Sequence, residues 1–240
     1  MKAILTGHTR GLGAALAHEL LSRGIPVLGL ARGDAATLQS SFPALLTQVK
    51  LDLSDGAALS AWLSGDALRD YLAGCATSLL LNNAGTVQPM GALAGQDPDA
   101  IARAIALNVA APLMLTAAVV RASPGAQQRI VHVSSGAGRS AYPGWSVYCA
   151  TKAALDQHAS AAALDATPGL RICSLAPGVI DTPMQAEIRA TSASQFPLRE
   201  RFVELKRSGA LRTPAACAAQ LIDYLLGADF GKRPVHDLRN

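Results

Sequence analysis

The run Lys2–Thr6, KAILT, is an apolar strand that ends on Thr6-Gly7 and gives way within a few residues to an amphipathic helix over 11–23, with Leu12, Leu16, Ala17 and Leu20 on its inward stripe and Gly24 closing it. The same alternation then repeats. Further strands are expected at 26–30, 45–51, 78–81, 129–133, 170–175 and 234–238, separated by helical or turn-rich stretches that include helices at about 98–121, 146–166 and 214–226. Runs such as VLGL and SLLL carry no polar face, so both sides of each must be covered, as in a parallel sheet between two helical layers. The expected fold class is therefore α/β, a doubly wound parallel sheet of about seven strands. Half of the residues are apolar and 4% aromatic, a mixture that suits helices packed closely on a sheet. One domain accommodates all 240 residues. The stretch from about 182 to 209, with mixed charge, Phe196 and Phe202, reads as a mobile substrate flap.

Several function classes fall away on composition. The net charge is only +4 and no run of Lys and Arg is interleaved with aromatics, so no nucleic-acid partner is expected. Cys75, Cys149, Cys173 and Cys217 are far apart and have no partner at metal-ligand spacing, which indicates neither a metal site nor a disulfide framework. MKAILTG runs from strand directly into turn, without the pattern of a signal peptide, and no uninterrupted apolar span of membrane length is seen. A cytoplasmic protein with no membrane partner is the expectation.

The first turn, Thr6-Gly7-His8-Thr9-Arg10-Gly11-Leu12-Gly13, joins a strand to a helix. Glycines there let the backbone approach a pyrophosphate and lead it to the helix N-terminus, whose unpaired N–H groups favour anions. A dinucleotide is the natural ligand. An acid at the end of the second strand would bond the ribose 2′-hydroxyl, whereas an Arg would accept a 2′-phosphate. The residues there are Leu30-Ala31-Arg32-Gly33, so Arg32, together with Arg10, favours NADP(H) over NAD(H). Further on, Tyr148 and Lys152 share one helical face. An ammonium one turn from a phenol favours the phenolate and lowers a pKa that is ordinarily about 10, which would make Tyr148 a usable proton donor and acceptor.

In order and spacing these features resemble the short-chain dehydrogenases/reductases along nearly the whole chain. The T-G-x-x-x-G-x-G turn stands at 6–13, N-N-A-G at Asn82-Asn83-Ala84-Gly85, the helix Asn at Asn108, the Ser at Ser135, Y-x-x-x-K at Tyr148 and Lys152, and P-G followed by Thr at Pro177-Gly178 and Thr182. The resemblance implies that Tyr148 protonates a carbonyl oxygen as hydride arrives from a nicotinamide, and that Lys152 lowers the pKa of Tyr148 and holds the nicotinamide ribose. It also implies that Ser135, rather than Ser134, bonds the developing alkoxide, and that Asn108 orders a water linking Lys152 to solvent. Beyond Gly7, Thr9, Arg10, Gly11, Leu12, Gly13 and Arg32, the implied cofactor contacts are Asp52 and Leu53 around adenine, and Asn83, Ala84 and Gly85 along the adenosine. Thr182 and the Ile180 backbone, after Pro177 and Gly178, would hold the carboxamide.

From Gly144 onward, GWSVYCATKAALD, LAPGVIDTPMQAEIR and the run at 202–206 with Gly209 and Leu211 resemble the branch of sepiapterin reductases and bacterial benzil reductases. That branch implies a small-molecule carbonyl substrate in which the ketone lies beside a second carbonyl. Trp145 and Met184 are candidates to line its pocket, and Asp237 is the candidate for the acid with which sepiapterin reductases anchor the pterin. Many family members end on a Val-Asp-Gly-Gly-like strand, which this chain lacks. A 3-oxoacyl thioester reductase is the alternative reaction. A non-catalytic NADP(H)-binding sensor is the alternative of another class, although it would have no use for Asn108, Ser135, Tyr148 and Lys152. The Ala-rich face after Tyr148 (Ala150, Ala153, Ala154, Ala161) suggests a homodimer or homotetramer. Among other residues, His8 reads as a solvated turn residue or a phosphate contact, His132 as structural, and His18 and His158 as helix residues with no partner at metal spacing. Cys149 should point off the catalytic face.

Overall fold

The computed structural model describes residues 1–239. The chain runs β1 (Lys2–Thr6), α1 (Gly11–Ser22), β2 (Val27–Ala31), α2 (Ala36–Ser41), β3 (Leu46–Lys50), α3 (Gly56–Ser64), α4 (Ala67–Leu72), β4 (Thr77–Asn82) and α5 (Pro98–Ile105). It continues with α6 (Ala111–Ala122), β5 (Gln127–Val133), α7 (Ser146–Leu164), β6 (Leu170–Ala176), α8 (Pro183–Ala190), α9 (Arg199–Arg207), α10 (Pro214–Leu226) and β7 (Val235–Asp237). All seven strands pair in parallel, in the order β3-β2-β1-β4-β5-β6-β7.

Alternation along each strand explains the missing polar face. Ala3 and Leu5 of β1 and Leu79 and Leu81 of β4 enter one core, against Leu16 and Leu20 of α1 and Leu221 and Leu225 of α10. Ile4 and Leu80, between them, point the other way, into a core shared with Leu59 of α3, Leu72 of α4, Leu115 of α6 and Ala159 of α7. Each fully buried Leu or Ile contributes roughly 1.5–3 kcal/mol relative to exposure, so the sheet is held from both sides.

Strand order reverses between β1 and β4, and the crevice this leaves at the carboxyl ends of the strands is where α/β proteins bind ligands. Side-chain bonds tie its two rims together: Thr6 Oγ1 accepts from the backbone N–H groups of Asn83 and Ala84, both at 2.9 Å.

Two elements differ from the expectation. The helix foreseen over 98–121 is interrupted at Ala106–Ala110 by a π turn around Asn108, a form that accommodates one extra residue and often marks functional sites. By length and composition Pro98–Ala122 could cross a membrane, yet its Leu115 and Val119 are fully buried in the core. The second difference is the expected flap, which folds as α8 and α9 and is pinned by Phe196 and Phe202, 0% and 6% exposed.

Candidate active site

The carboxyl ends of β1 to β6 surround a cavity of about 870 Å³, within the range of small-molecule sites. The glycine turn after β1 forms its floor. Gly7 has φ +70°, and a methyl added at Gly13 would stand 1.9 Å from the Gly7 carbonyl oxygen, so the turn closes only with glycine at 13. Asn83 Nδ2 donates to the carbonyls of Thr6 (2.9 Å) and Gly7 (3.3 Å) and fixes the turn from the β4 side. Every residue read from the sequence as a dinucleotide contact lines this cavity. His8 does not. It is wholly buried under β2, where a methyl at Gly29 would strike its ring at 2.6 Å, and its Nε2 pairs with Gln48 at 2.8 Å, so the solvated reading is corrected.

At the β2 end of the cavity Arg10 and Arg32 have no ion-pair partner among the described residues. Asp52 is occupied: its Oδ1 accepts from the Ser54 hydroxyl at 2.7 Å and the Ser54 N–H at 2.9 Å, bonds that hold its carboxyl below the usual range.

At the other end α7 starts on the stretch that follows Gly144, whose φ is +79° and where a methyl would meet the Gln195 carbonyl oxygen at 2.6 Å. Tyr148 and Lys152 lie one turn apart and buried, 8% and 5% exposed. The ammonium stands 5.6 Å from the Tyr148 ring centre and donates to the Val133 carbonyl at 2.8 Å. Burial dominates both groups: it pushes the phenol up to about 12, against the lowering influence of Ser135, and the ammonium down to about 8. The spacing argument for a lowered Tyr148 pKa is thus reversed by desolvation. Ser135 Oγ lies in the cavity and accepts from Ala137 N at 3.1 Å. Ser134 Oγ instead donates to Asp156 at 2.8 Å.

Asn108 sits behind the cavity wall. Its Oδ1 accepts from Thr86 N at 2.9 Å, and its Nδ2 donates to Thr86 O at 2.8 Å and Thr151 Oγ1 at 3.2 Å. A methyl at Gly85 would come within 3.2 Å of Asn108 Oδ1 and 3.8 Å of Lys152 Nζ, so these two groups converge on one glycine.

Trp145 and Met184 line the cavity. The indole stacks on Phe196 at 4.6 Å and 17°, and meets Tyr148 edge-on at 5.2 Å and Phe202 at 5.4 Å. Asp237 is buried and clamps Arg239 with bonds of 2.9 and 2.6 Å, and it is Arg239 that reaches the cavity. The sequence reading also passed over Gln88, Tyr142, Glu187 and Arg201, which line the substrate end. Tyr142 could have been flagged, because it stands one helical turn before the start of α7 in the same run as Trp145; the others depend on how α8 and α9 dock. Among the described residues no His, Cys, Asp and Glu cluster could hold a metal.

Residues 1–193 match the model of the short chain dehydrogenase family. The chain is 30% identical over 236 residues to a benzil reductase ((S)-benzoin forming) of Bacillus cereus, covering 95% of this chain and 94% of that protein. It is 35% identical over 237 residues to a sepiapterin reductase of Meriones unguiculatus, covering 92% and 90%. Among solved structures, a short-chain dehydrogenase/reductase from Burkholderia vietnamiensis superposes with a TM-score of 0.73 at 50% identity, covering 100% of this chain and 97% of that one. The chain therefore belongs to the short chain dehydrogenase family of oxidoreductases.

Proposed function

We propose that this protein is an NADPH-dependent carbonyl reductase whose substrate is a ketone activated by a neighbouring carbonyl. The observation that carries this reading is the position of Tyr148, a buried phenol in one cavity with Ser135 and Lys152 and against an aromatic wall. With its pKa raised to about 12 by burial, Tyr148 holds its proton at neutral pH and can donate it to a carbonyl oxygen. Ser135 offers that oxygen a second hydrogen bond as negative charge develops on it. Lys152, charged below about pH 8, supplies a cation beside the phenol. The reduced nicotinamide, when bound, supplies the hydride.

The residues fit that group. The glycine floor leaves room for a pyrophosphate at the α1 N-terminus, and the unpaired Arg10 and Arg32 suit a 2′-phosphate. Trp145, Tyr142 and Phe202 form a wall suited to a flat aryl or bicyclic ketone. Relatives named for benzil and sepiapterin reduction support the same substrate class. A second reading, a 3-oxoacyl thioester reductase, is favoured by Arg103 and Arg201 on the cavity lining, which would suit an acidic carrier; turnover of acetoacetyl thioesters in preference to diketones would select it.

The test is loss of NADPH absorbance with benzil, sepiapterin and simpler diketones. Tyr148→Phe should lower turnover by about 10²- to 10⁴-fold while NADPH still binds. If wild type and variant were equally inert across these ketones, a non-catalytic NADP(H)-binding sensor would be the better account. The solvent-facing Ala150, Ala153 and Ala161 of α7, with Leu164 85% exposed nearby, support self-association. Light scattering at the monomer mass of 24.7 kDa would contradict that part.

A further inference from the structure

One turn beyond Lys152 on α7, Asp156 is a carboxylate only 8% exposed that the chemistry above does not use. Its Oδ1 accepts from Ser134 Oγ at 2.8 Å and Ser174 Oγ at 2.6 Å, and its Oδ2 accepts from Arg139 Nε at 2.9 Å. The donors come from the end of β5, from β6 and from the loop leading to α7. That loop is seated tightly, since a methyl at Gly138 would lie 2.9 Å from Asp156 Oδ2 and 3.0 Å from the Lys152 carbonyl oxygen. A buried carboxylate is costly unless charge and donors surround it. Here two of those donors, Ser134 and Arg139, flank Ser135 in the chain and the third, Ser174, is on β6, and the nearest catalytic group on the same helix is Lys152.

We propose that Asp156 is a positioning residue for carbonyl reduction, holding the Ser134-Ser135 turn against β6 and favouring the ammonium form of Lys152. This rests on the reading of Tyr148, Ser135 and Lys152 given above. The groups facing Lys152 are Tyr148 and Asp156 on α7, the Val133 carbonyl and His132 on β5, and Asn108 across Gly85. Among them Asp156 is the anion, and it opposes the burial that pushes Lys152 down to about 8. Asp156 in turn faces Arg139, which lies 3.9 Å from Asp237, and Cys173, whose thiol burial raises to about 11. Removing the carboxylate charge therefore makes Lys152 lose its proton at lower pH. Removing the Arg139 cation, which partly offsets that charge, makes it lose the proton at higher pH.

The chain has five lysines, so an NMR titration of lysine labelled at Cε can follow Lys152 directly, assigned through the signal missing in Lys152→Arg. In Asp156→Asn, which keeps the shape and can still accept from both serines, the midpoint should fall by about half a pH unit or more, a threefold change in proton affinity. The basic limb of the reduction profile should fall with it, so that kcat drops about threefold on the alkaline side of the limb and little at neutral pH, and KM for NADPH should stay nearly constant. Arg139→Gln should move the midpoint upward, which keeps the proposal testable if the first variant fails to fold. Unmoved Lys152 midpoints in a folded variant would reduce Asp156 to a structural brace and overturn the proposal. Midpoints that shift as expected in the variants, beside a wild type that reduces no carbonyl, would uphold the link to Lys152 and refute the reductase reading instead.

Discussion

Arg32 follows the last residue of β2 at the rim of the cavity, while the carboxylate of the nearby Asp52 is taken up by Ser54. A charge-assisted bond to a phosphate contributes about 1.5–3 kcal/mol. Arg32→Ala should therefore raise KM for NADPH by about 10- to 100-fold and leave KM for NADH nearly unchanged; equal weakening of both cofactors would sink the 2′-phosphate assignment. Arg32 was legible because the end of a second strand is a fixed place in this architecture. The charge states of Tyr148 and Lys152 were not. Spacing shows that two side chains are neighbours, but the direction of their shifts follows from burial, which only the packed structure defines. His8 is a similar case, since its place beneath Gly29 joins the β1 turn to another strand.

At the level of elements, the turn between β1 and α1 depends on a contact no other residue permits. Gly13→Ala puts a methyl against the backbone oxygen of Gly7 at 1.9 Å, where no side chain can rotate away. The variant should lose NADPH binding, read by quenching of protein fluorescence, and should melt at a lower temperature. Unchanged binding would mean that the floor is not the pyrophosphate site. The strands, α1 and α10 could be read from apolar periodicity because each buries its own stripe. The break at Asn108 had only one cue, Pro112, which lacks the N–H that would bond the Asn108 carbonyl; the form of the π turn depends on bonds from Asn108 to Thr86 and Thr151, far off in the sequence. The segment from 182 to 209 read as a mobile flap for a similar reason. Its polar stretches carry only two aromatic anchors, and the Trp145 that receives them lies far back in the sequence.

Across the whole molecule, the second core contains a polar thread. His132, fully buried, lies 3.1 Å from Asn82 Nδ2 and 3.0 Å from His158 Nδ1. Burial pushes His132 from 6.5 down to about 3. The folded chain therefore refuses a proton that the unfolded chain accepts below about pH 6.5, and stability should fall as pH drops from there toward about 3. Urea unfolding across that range should show a shallower acid dependence in His132→Gln than in wild type, even if the variant starts out less stable. Identical slopes would remove His132 from the account.

The stacking of Trp145 on Phe196 has a consequence for how such a protein could change its diet. The glycine turn and Arg32 lie on the β1 to β3 side of the cavity, whereas Phe196 and Phe202, from the segment that holds α8 and α9, pack on Trp145 just before α7. Residues 184–209, which leave out the Pro183 that packs on the Gly11 turn, should then behave as an exchangeable cassette, provided that the two phenylalanines travel with it. A graft of the corresponding segment from a relative with another ketone preference should carry that preference across and leave the choice between NADPH and NADH behind. A graft that altered cofactor choice as well would show that the two halves are not separable.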